Sequence, residues 1–524
     1  MIRRAFGHGP VLGVLLAIAG FVALGSWAVA SPVGASPDEA FHLASIWCAG
    51  VSPAHRHDVV CAAGPGERTA GVTRRWVPTQ LDAGACFAFR PAITAVCVKE
   101  PARPLTSLAA NAGLYPPGFH RAMHLAVGTN ITASVLTMRL ANALLAVLVF
   151  AWAHAVSGRH GRFALAALAS LAAAPMAFFF IPSVNPTSWS VIGIGTLWAF
   201  VLAFLEAPTR PRAALALVGG AVAFALAVSA RSDAPVYAAA TIVAAATCST
   251  ARRSARLLVL LGGVAIAVAL FVMGSATNVT THGMGAPPGV TGPASASGDT
   301  PPGQLLIHNI EGFWHFAIAI FAAGSHGYGL GALDTHMPLV SLCVTVLVSG
   351  VVALGLAWGR WRERAVLLGL VLASVAIPLD VLQQSRMRIE SMQVQPRYVY
   401  PLMLAAVGIA AFVLARRPEV RRLRRAAWLA VWVIVAVAAS WELHAVLHRY
   451  VSGEGSHGFR LDASAGWWWS FPSAPSPFAV WAVGSASAAV TFGLLLRQAR
   501  ANAGDEPGHD VVVAAGQTAA DSST

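Results

Sequence analysis

Apolar runs long enough to cross a bilayer, about 17 to 25 residues each, recur at 10–31, 133–156, 162–181, 187–206, 212–230, 256–275, 338–357, 363–380, 399–415, 426–447 and 475–496. A shorter run at 234–248, between Arg231 and Arg252, makes a twelfth, either as a short span or as a re-entrant piece. In hydrocarbon each backbone N–H and C=O needs a partner within the protein, so such runs commit the chain to helices. The expected fold is an all-α polytopic membrane protein with about 12 transmembrane helices. Composition agrees: 56% of the 524 residues are hydrophobic and 11% charged, against roughly 25% charged in a soluble domain.

The net charge of +13 would suit a nucleic-acid binder, but the arginines form short clusters between apolar runs. Such a binder carries one continuous basic face, so nucleic acid is excluded as a partner. Lys99 is the single lysine among 35 Lys and Arg residues. With the N-terminus inside, each cytoplasmic segment holds at least two arginines: Arg3 and Arg4, Arg159 and Arg162, Arg210 and Arg212, Arg252 with Arg253 and Arg256. The same holds for Arg360, Arg362 and Arg364, for the six arginines between Arg416 and Arg425, and for Arg497 and Arg500. The short outer connections at 182–186 and 231–233 carry none and one. This charge bias predicts both termini cytoplasmic and requires 234–248 to cross. Residues 1–9 are then a cytoplasmic N-terminus and 497–524 a cytoplasmic tail, polar and expected to be disordered from about 503. The first run, ending in Ala28-Val29-Ala30, also reads as a secretory signal; its length favours an uncleaved helix.

Four outer segments are long enough to hold structure: 32–132, 276–337, 381–398 and 448–474. The first carries Cys48, Cys61, Cys86 and Cys97, an even number in an oxidising compartment, which points to disulfides. Three pairings are possible, and the local ones, Cys48–Cys61 and Cys86–Cys97, are favoured over the others and over free thiols. Cys248 and Cys343 fall within spans and read as small core residues. The Gly/Pro/Ser-rich stretch 284–303 reads as a mobile segment, and Asn278-Val279-Thr280 as a glycosylation sequon of little weight. No internal repeat of the kind found in secondary transporters is visible.

Four patches in these outer segments carry chemistry. Ser36-Pro37-Asp38-Glu39-Ala40-Phe41-His42 follows the first helix and joins two acids to a histidine one helical turn on. A carboxylate there can remove a proton from an acceptor hydroxyl; the same residues can also simply cap a helix at the lipid interface. Tyr115-Pro116-Pro117-Gly118-Phe119-His120 makes a rigid entry to the second helix or a substrate contact. Asp334 and His336 suit a cation or a hydrogen bond to a sugar, though two ligands are too few for a metal site; Asp334 equally suits a helix cap. Arg386, Arg388 and Arg397, beside Gln395 and Tyr398, run against the charge rule on an outer face, which suits an anion such as a lipid phosphate. Neutralisation by Asp380 and Glu390 is the plainer account. Arg231-Ser232-Asp233 reads as a local ion pair, and Arg139 as an intramembrane charge that is paired or functional.

In order and side, Pro37-Asp38-Glu39 with His42, Tyr115-Pro116-Pro117, Gly331-x-x-Asp334-Thr335-x-x-Pro338 and Gln395-x-Arg397-Tyr398 resemble the bacterial membrane proteins catalogued as domain of unknown function 2142. That family is similar in turn to the C-type membrane glycosyltransferases, which take the sugar from a polyprenyl phosphate. The resemblance spans roughly residues 10–450; Pro396 stands where a glycine is expected before the arginine. It implies a bacterial plasma-membrane enzyme with Asp38 as catalytic base and Glu39 as its neighbour or the ligand of a divalent cation. Arg397, with Arg386 or Arg388, would hold the donor phosphate. His42, Tyr115, His326, Asp334, His336, Gln395 and Tyr398 would contact substrate. The reaction implied is inverting transfer to an envelope glycan, lipid or protein on the outer face. Two other readings use the same residues: a transporter or flippase of a lipid-linked precursor, for which Arg139 and Asn142 speak, and a non-catalytic envelope scaffold.

Overall fold

The computed structural model describes residues 10–50, 60–65, 71–98, 103–274, 300–322, 328–421, 423–454, 458–462, 467–469 and 474–504. The Asn278 sequon, most of the 284–303 stretch, His326 and the tail beyond 504 lie outside these residues. The described helices are α1 (Pro10–Val29), α2 (Glu39–Trp47), α3 (Gly118–His124), α4 (Ile131–Val156), α5 (Arg159–Leu171), α6 (Met176–Phe180), α7 (Thr187–Leu205), α8 (Arg210–Ala230) and α9 (Ala234–Cys248). They continue with α10 (Arg253–Gly274), α11 (Pro302–Ala322), α12 (Ser341–Trp358), α13 (Trp361–Gln384), α14 (Pro396–Ala415), α15 (Pro418–Arg421), α16 (Arg425–Val451) and α17 (Pro477–Gly504). Eleven of them have at least 18 residues and are apolar enough to cross a membrane. The chain is a multi-pass membrane protein.

Those eleven are not the same runs that the sequence marks. The run 162–181 is not one helix: α5 ends at Leu171 and α6 begins at Met176, around Pro175, where a proline denies the ladder an N–H. The segment 276–337 is not wholly a loop, because it contains α11. Contacts at the helix ends settle which elements pass through the bundle. At one end Arg416 joins Glu363 (3.1 Å), Glu206 (3.4 Å) and the Cys248 carbonyl (2.9 Å), so α7, α9, α13 and α14 meet there. This is the arginine end. The other, the loop end, carries α2, α3 and a two-stranded antiparallel sheet, β1 (Val72–Pro78) and β2 (Leu105–Asn111), with Val72 opposite Asn111. α9 runs from Asp233 at the loop end to Cys248 at the arginine end, so it is a full pass and not a re-entrant piece. α5 starts beside Phe412 near the arginine end, and α6 brings Phe180 to Arg397 at the loop end, so the broken pair is also one pass. α11 keeps to the loop end, where Gln383 reaches Pro302, Asn309 holds Met387 and Ile389, and Phe321 packs on Tyr400.

α14 and α7 form the centre of the bundle and are buried over nearly all their length, whereas α10 packs mainly on α9 and exposes its apolar side chains. Close approach at the centre depends on glycine. A Cβ at Gly408 of α14 would lie 2.3 Å from the Trp198 ring, and one at Gly193 of α7 2.3 Å from the Ala223 carbonyl. Cys248 is buried as expected; Cys343 is not a core residue but is exposed on α12.

Disulfides join Cys48 to Cys61 and Cys86 to Cys97. The first ties the end of α2 to a short segment that pairs with β1 through Cys61 N–H to the Trp76 carbonyl (2.7 Å). The second closes the connection from β1 to β2. The segment after α1 is thereby fastened over the loop end.

Candidate active site

The turn after α1 separates the two adjacent acids. Asp38 stands just before α2 in the left-handed region (φ 59°), which Asp and Asn tolerate better than most residues but still at some cost. The turn sends Glu39 inward and leaves Asp38 facing the start of α14.

Glu39 is fully buried against Arg139 of α4 (2.9 and 3.0 Å) and accepts the N–H groups of Gly34 (2.7 Å) and Ser36 (3.3 Å). Arg139 donates further to the carbonyls of Ala28 (3.0 Å), Ser31 (2.7 Å) and Pro32 (2.9 Å). The intramembrane arginine thus anchors the end of α1 and the turn that sets Asp38. Its partner Glu39 is engaged by the guanidinium and by two backbone N–H groups.

Asp38 Oδ2 accepts from Arg397 Nη2 at 2.6 Å. Arg397 is the second residue of α14, whose first position is taken by Pro396, where a missing N–H leaves no helical bond unmade. Arg397 is 3% exposed, yet its Nε and Nη1 have no hydrogen-bond partner among the described residues. Its guanidinium lies 5.2 Å from the Tyr398 ring centre and 5.7 Å from that of Phe180. Arg231 covers the Tyr398 ring too, at 5.0 Å, and is held by Asp233 (2.9 and 2.7 Å), the local ion pair expected. Asn185 secures the turn by donating to the Pro37 carbonyl (2.8 Å).

The second patch closes the other side. His42 Nδ1 and His120 Nε2 are 3.2 Å apart, and both rings pack edge-on against Tyr115. Burial, then His120, Arg397 and Arg231, hold His42 well below the usual histidine value; burial takes His120 down to about 4. Both imidazoles are therefore neutral near physiological pH, and one nitrogen of the pair donates to the other. Burial, reinforced by Tyr398 and Asp38 and opposed by Arg231 and Arg397, pushes the Tyr115 phenol far up, so it remains a hydroxyl.

Other expected site residues lie elsewhere. Asp334 pairs with the buried Arg449 (2.6 Å), whose other donors reach the carbonyls of Ile93, Phe87 and Arg90. His336 pairs with Glu454. Arg386 and Arg388 are exposed; Arg386 donates to the Thr300 carbonyl (3.0 Å), and Glu390 pairs with His308 instead. Gln395 precedes α14 and makes no side-chain cap. Glu39 and Asp334 are each paired with a guanidinium, and among the described residues no three His, Cys, Asp or Glu groups converge. Arg231, His120, Asn185 and Phe180 join the site although the sequence reading did not assign them. Two carried a signal: His120 closes the Tyr-Pro-Pro patch, and Arg231 is the arginine in an outer connection.

Residues 21–406 match the family model described as Predicted membrane protein (DUF2142). The chain belongs to that family. No curated protein and no solved structure matches it.

Proposed function

We propose that this member of the family is a membrane glycosyltransferase that moves a sugar from a polyprenyl-phosphate carrier to a cell-envelope acceptor on the extracytoplasmic face, with inversion. The observation that carries the reading is the Asp38–Arg397 pair: a base and a buried cation in contact, the cation with two donors unused. A phosphate accepts charge-assisted hydrogen bonds from a guanidinium edge with matching geometry. Both two-pronged edges of the guanidinium, Nε with Nη2 and Nη1 with Nη2, include the nitrogen that Asp38 occupies, so donor phosphate arriving at either edge competes with Asp38 for the arginine and releases the carboxylate. The acceptor hydroxyl then attacks the anomeric carbon, its proton passes to Asp38, and the carbon–oxygen bond to phosphate breaks. Arg397 stabilises the phosphate that leaves. The transporter reading loses its main support, because Arg139 is bound by Glu39 and Asn142 by Trp189 and the Ser183 carbonyl.

The test is sugar transfer from a radiolabelled polyprenyl-phosphate sugar in proteoliposomes. Asp38→Asn keeps a side chain suited to the left-handed region, so the fold is retained. Transfer is expected to fall by about 100-fold or more while donor binding persists. Equal transfer by both proteins rejects Asp38 as the base, and no transfer across a panel of donors rejects the enzyme.

A further inference from the structure

A cavity of about 280 Å³ lies beside the site, and Tyr115 and His120 belong to the walls of both. It is bounded by the end of α2, by the sheet and by the start of α3. Two of its lining residues are Arg75 of β1 and Arg121 of α3, and no Asp or Glu lines it. Neither arginine makes an ion pair among the described residues. Arg75 donates through Nη1 to the Cys61 carbonyl (3.0 Å), and Arg121 is exposed. Of the other polar walls, Ser45 bonds Phe41 and Asn111, Asn111 bonds Tyr115 and Gly113, and His120 keeps a buried Nδ1 with no partner among the described residues. The charged donors are thus the two guanidinium groups. Two cations facing one small cavity repel unless an anion lies between them.

We infer that this cavity binds an anionic group, a carboxylate or phosphate, on the polyhydroxylated acceptor. The assignment to an acceptor rests on the transferase reading; anion binding does not. The Cys48–Cys61 disulfide is part of the device, since Cys48 lines the cavity and Cys61 supplies the carbonyl that holds Arg75. Tyr115 stands between cavity and base, close enough in charge to respond to Asp38 and Arg397. An acceptor seated by its anionic group therefore presents a neighbouring hydroxyl past Tyr115 towards Asp38.

The test is equilibrium binding of glucuronate, glycerol 3-phosphate and glucose to the full chain in nanodiscs. The expected result is that at least one anion binds about tenfold or more tightly than glucose, the scale of one charge-assisted hydrogen bond. The arm that wins names the carboxylate or the phosphate. Arg75→Gln and Arg121→Glu should each weaken that anion about tenfold, while Arg397→Gln leaves it bound. Arg121 is exposed, so its replacement leaves the packing intact and keeps the test valid if Arg75→Gln misfolds. Glucose binding as tightly as both anions overturns the inference. So does anion binding that survives both cavity substitutions, or that is lost only in Arg397→Gln. A protein that keeps this discrimination but transfers no sugar supports the anion site and counts against the transferase alone.

Discussion

Asp38 and Glu39 are neighbours of one chemical type in different surroundings, and the difference lies in what faces each. Glu39 meets a buried guanidinium and two backbone N–H groups, so it is structural. Removing its charge leaves Arg139 uncompensated in an apolar interior, which costs about 3–5 kcal/mol for a buried pair broken on one side. Glu39→Gln should therefore lower the unfolding midpoint of the purified protein more than Asp38→Asn, because the Asp38 side chain is 18% exposed and that of Glu39 0%. Equal midpoints for the two variants would show that the Glu39 pair does not hold the turn. Composition and spacing do not separate the two acids; in the sequence only the family resemblance does. Their separation depends on the left-handed backbone at Asp38 and on an arginine a hundred positions along the chain.

Spans were legible where a run was long and uninterrupted, because hydropathy is a property of the segment itself. Elsewhere tertiary contacts decide. α5 and α6 form one pass around a proline break, α9 passes with only 15 residues, and α11 is apolar yet stays at the loop end. A helix as short as α9 covers about 22 Å at 1.5 Å per residue, less than the roughly 30 Å of hydrocarbon. It can serve because the long helices α7, α10 and α13 pack around it. Glycine marks where such packing is closest. Gly408→Leu drives a side chain into Trp198 between α14 and α7, and overpacking of this kind costs about 1–3 kcal/mol. Gly350→Ala on α12 has nothing within 4 Å of its new Cβ and gains about 0.5–1 kcal/mol of helix propensity. Thermal unfolding in detergent should thus move down for the first and slightly up for the second; matching shifts would refute glycine-limited contact between the central helices.

For the whole molecule, the decisive question is whether the arginine clusters share a side. The fold brings Glu206, Cys248, Glu363 and Arg416 together although they lie far apart in the chain, which fixes four helix ends at one face. Asp38, Arg397, Arg231 and Tyr115 collect at the opposite face. In the proposed orientation the charge bias puts the first face in the cytoplasm, and the Cys48–Cys61 disulfide at the end of α2 puts the second on the oxidising side. These two arguments are independent, one resting on arginine and the other on cysteine, and they agree only if α9 is a pass. Without it every later cluster, from Arg252 onward, would change sides while Cys48 and Cys61 stayed. Cysteines placed at exposed Ala112 and Thr209 in a Cys343→Ala background test this in intact cells with a membrane-impermeant thiol reagent. Only the Ala112→Cys protein should be labelled, with Thr209→Cys reacting after permeabilisation. Labelling of Thr209→Cys in intact cells would place the arginine end outside and remove the candidate site from the face where a polyprenyl-linked donor and an envelope acceptor meet.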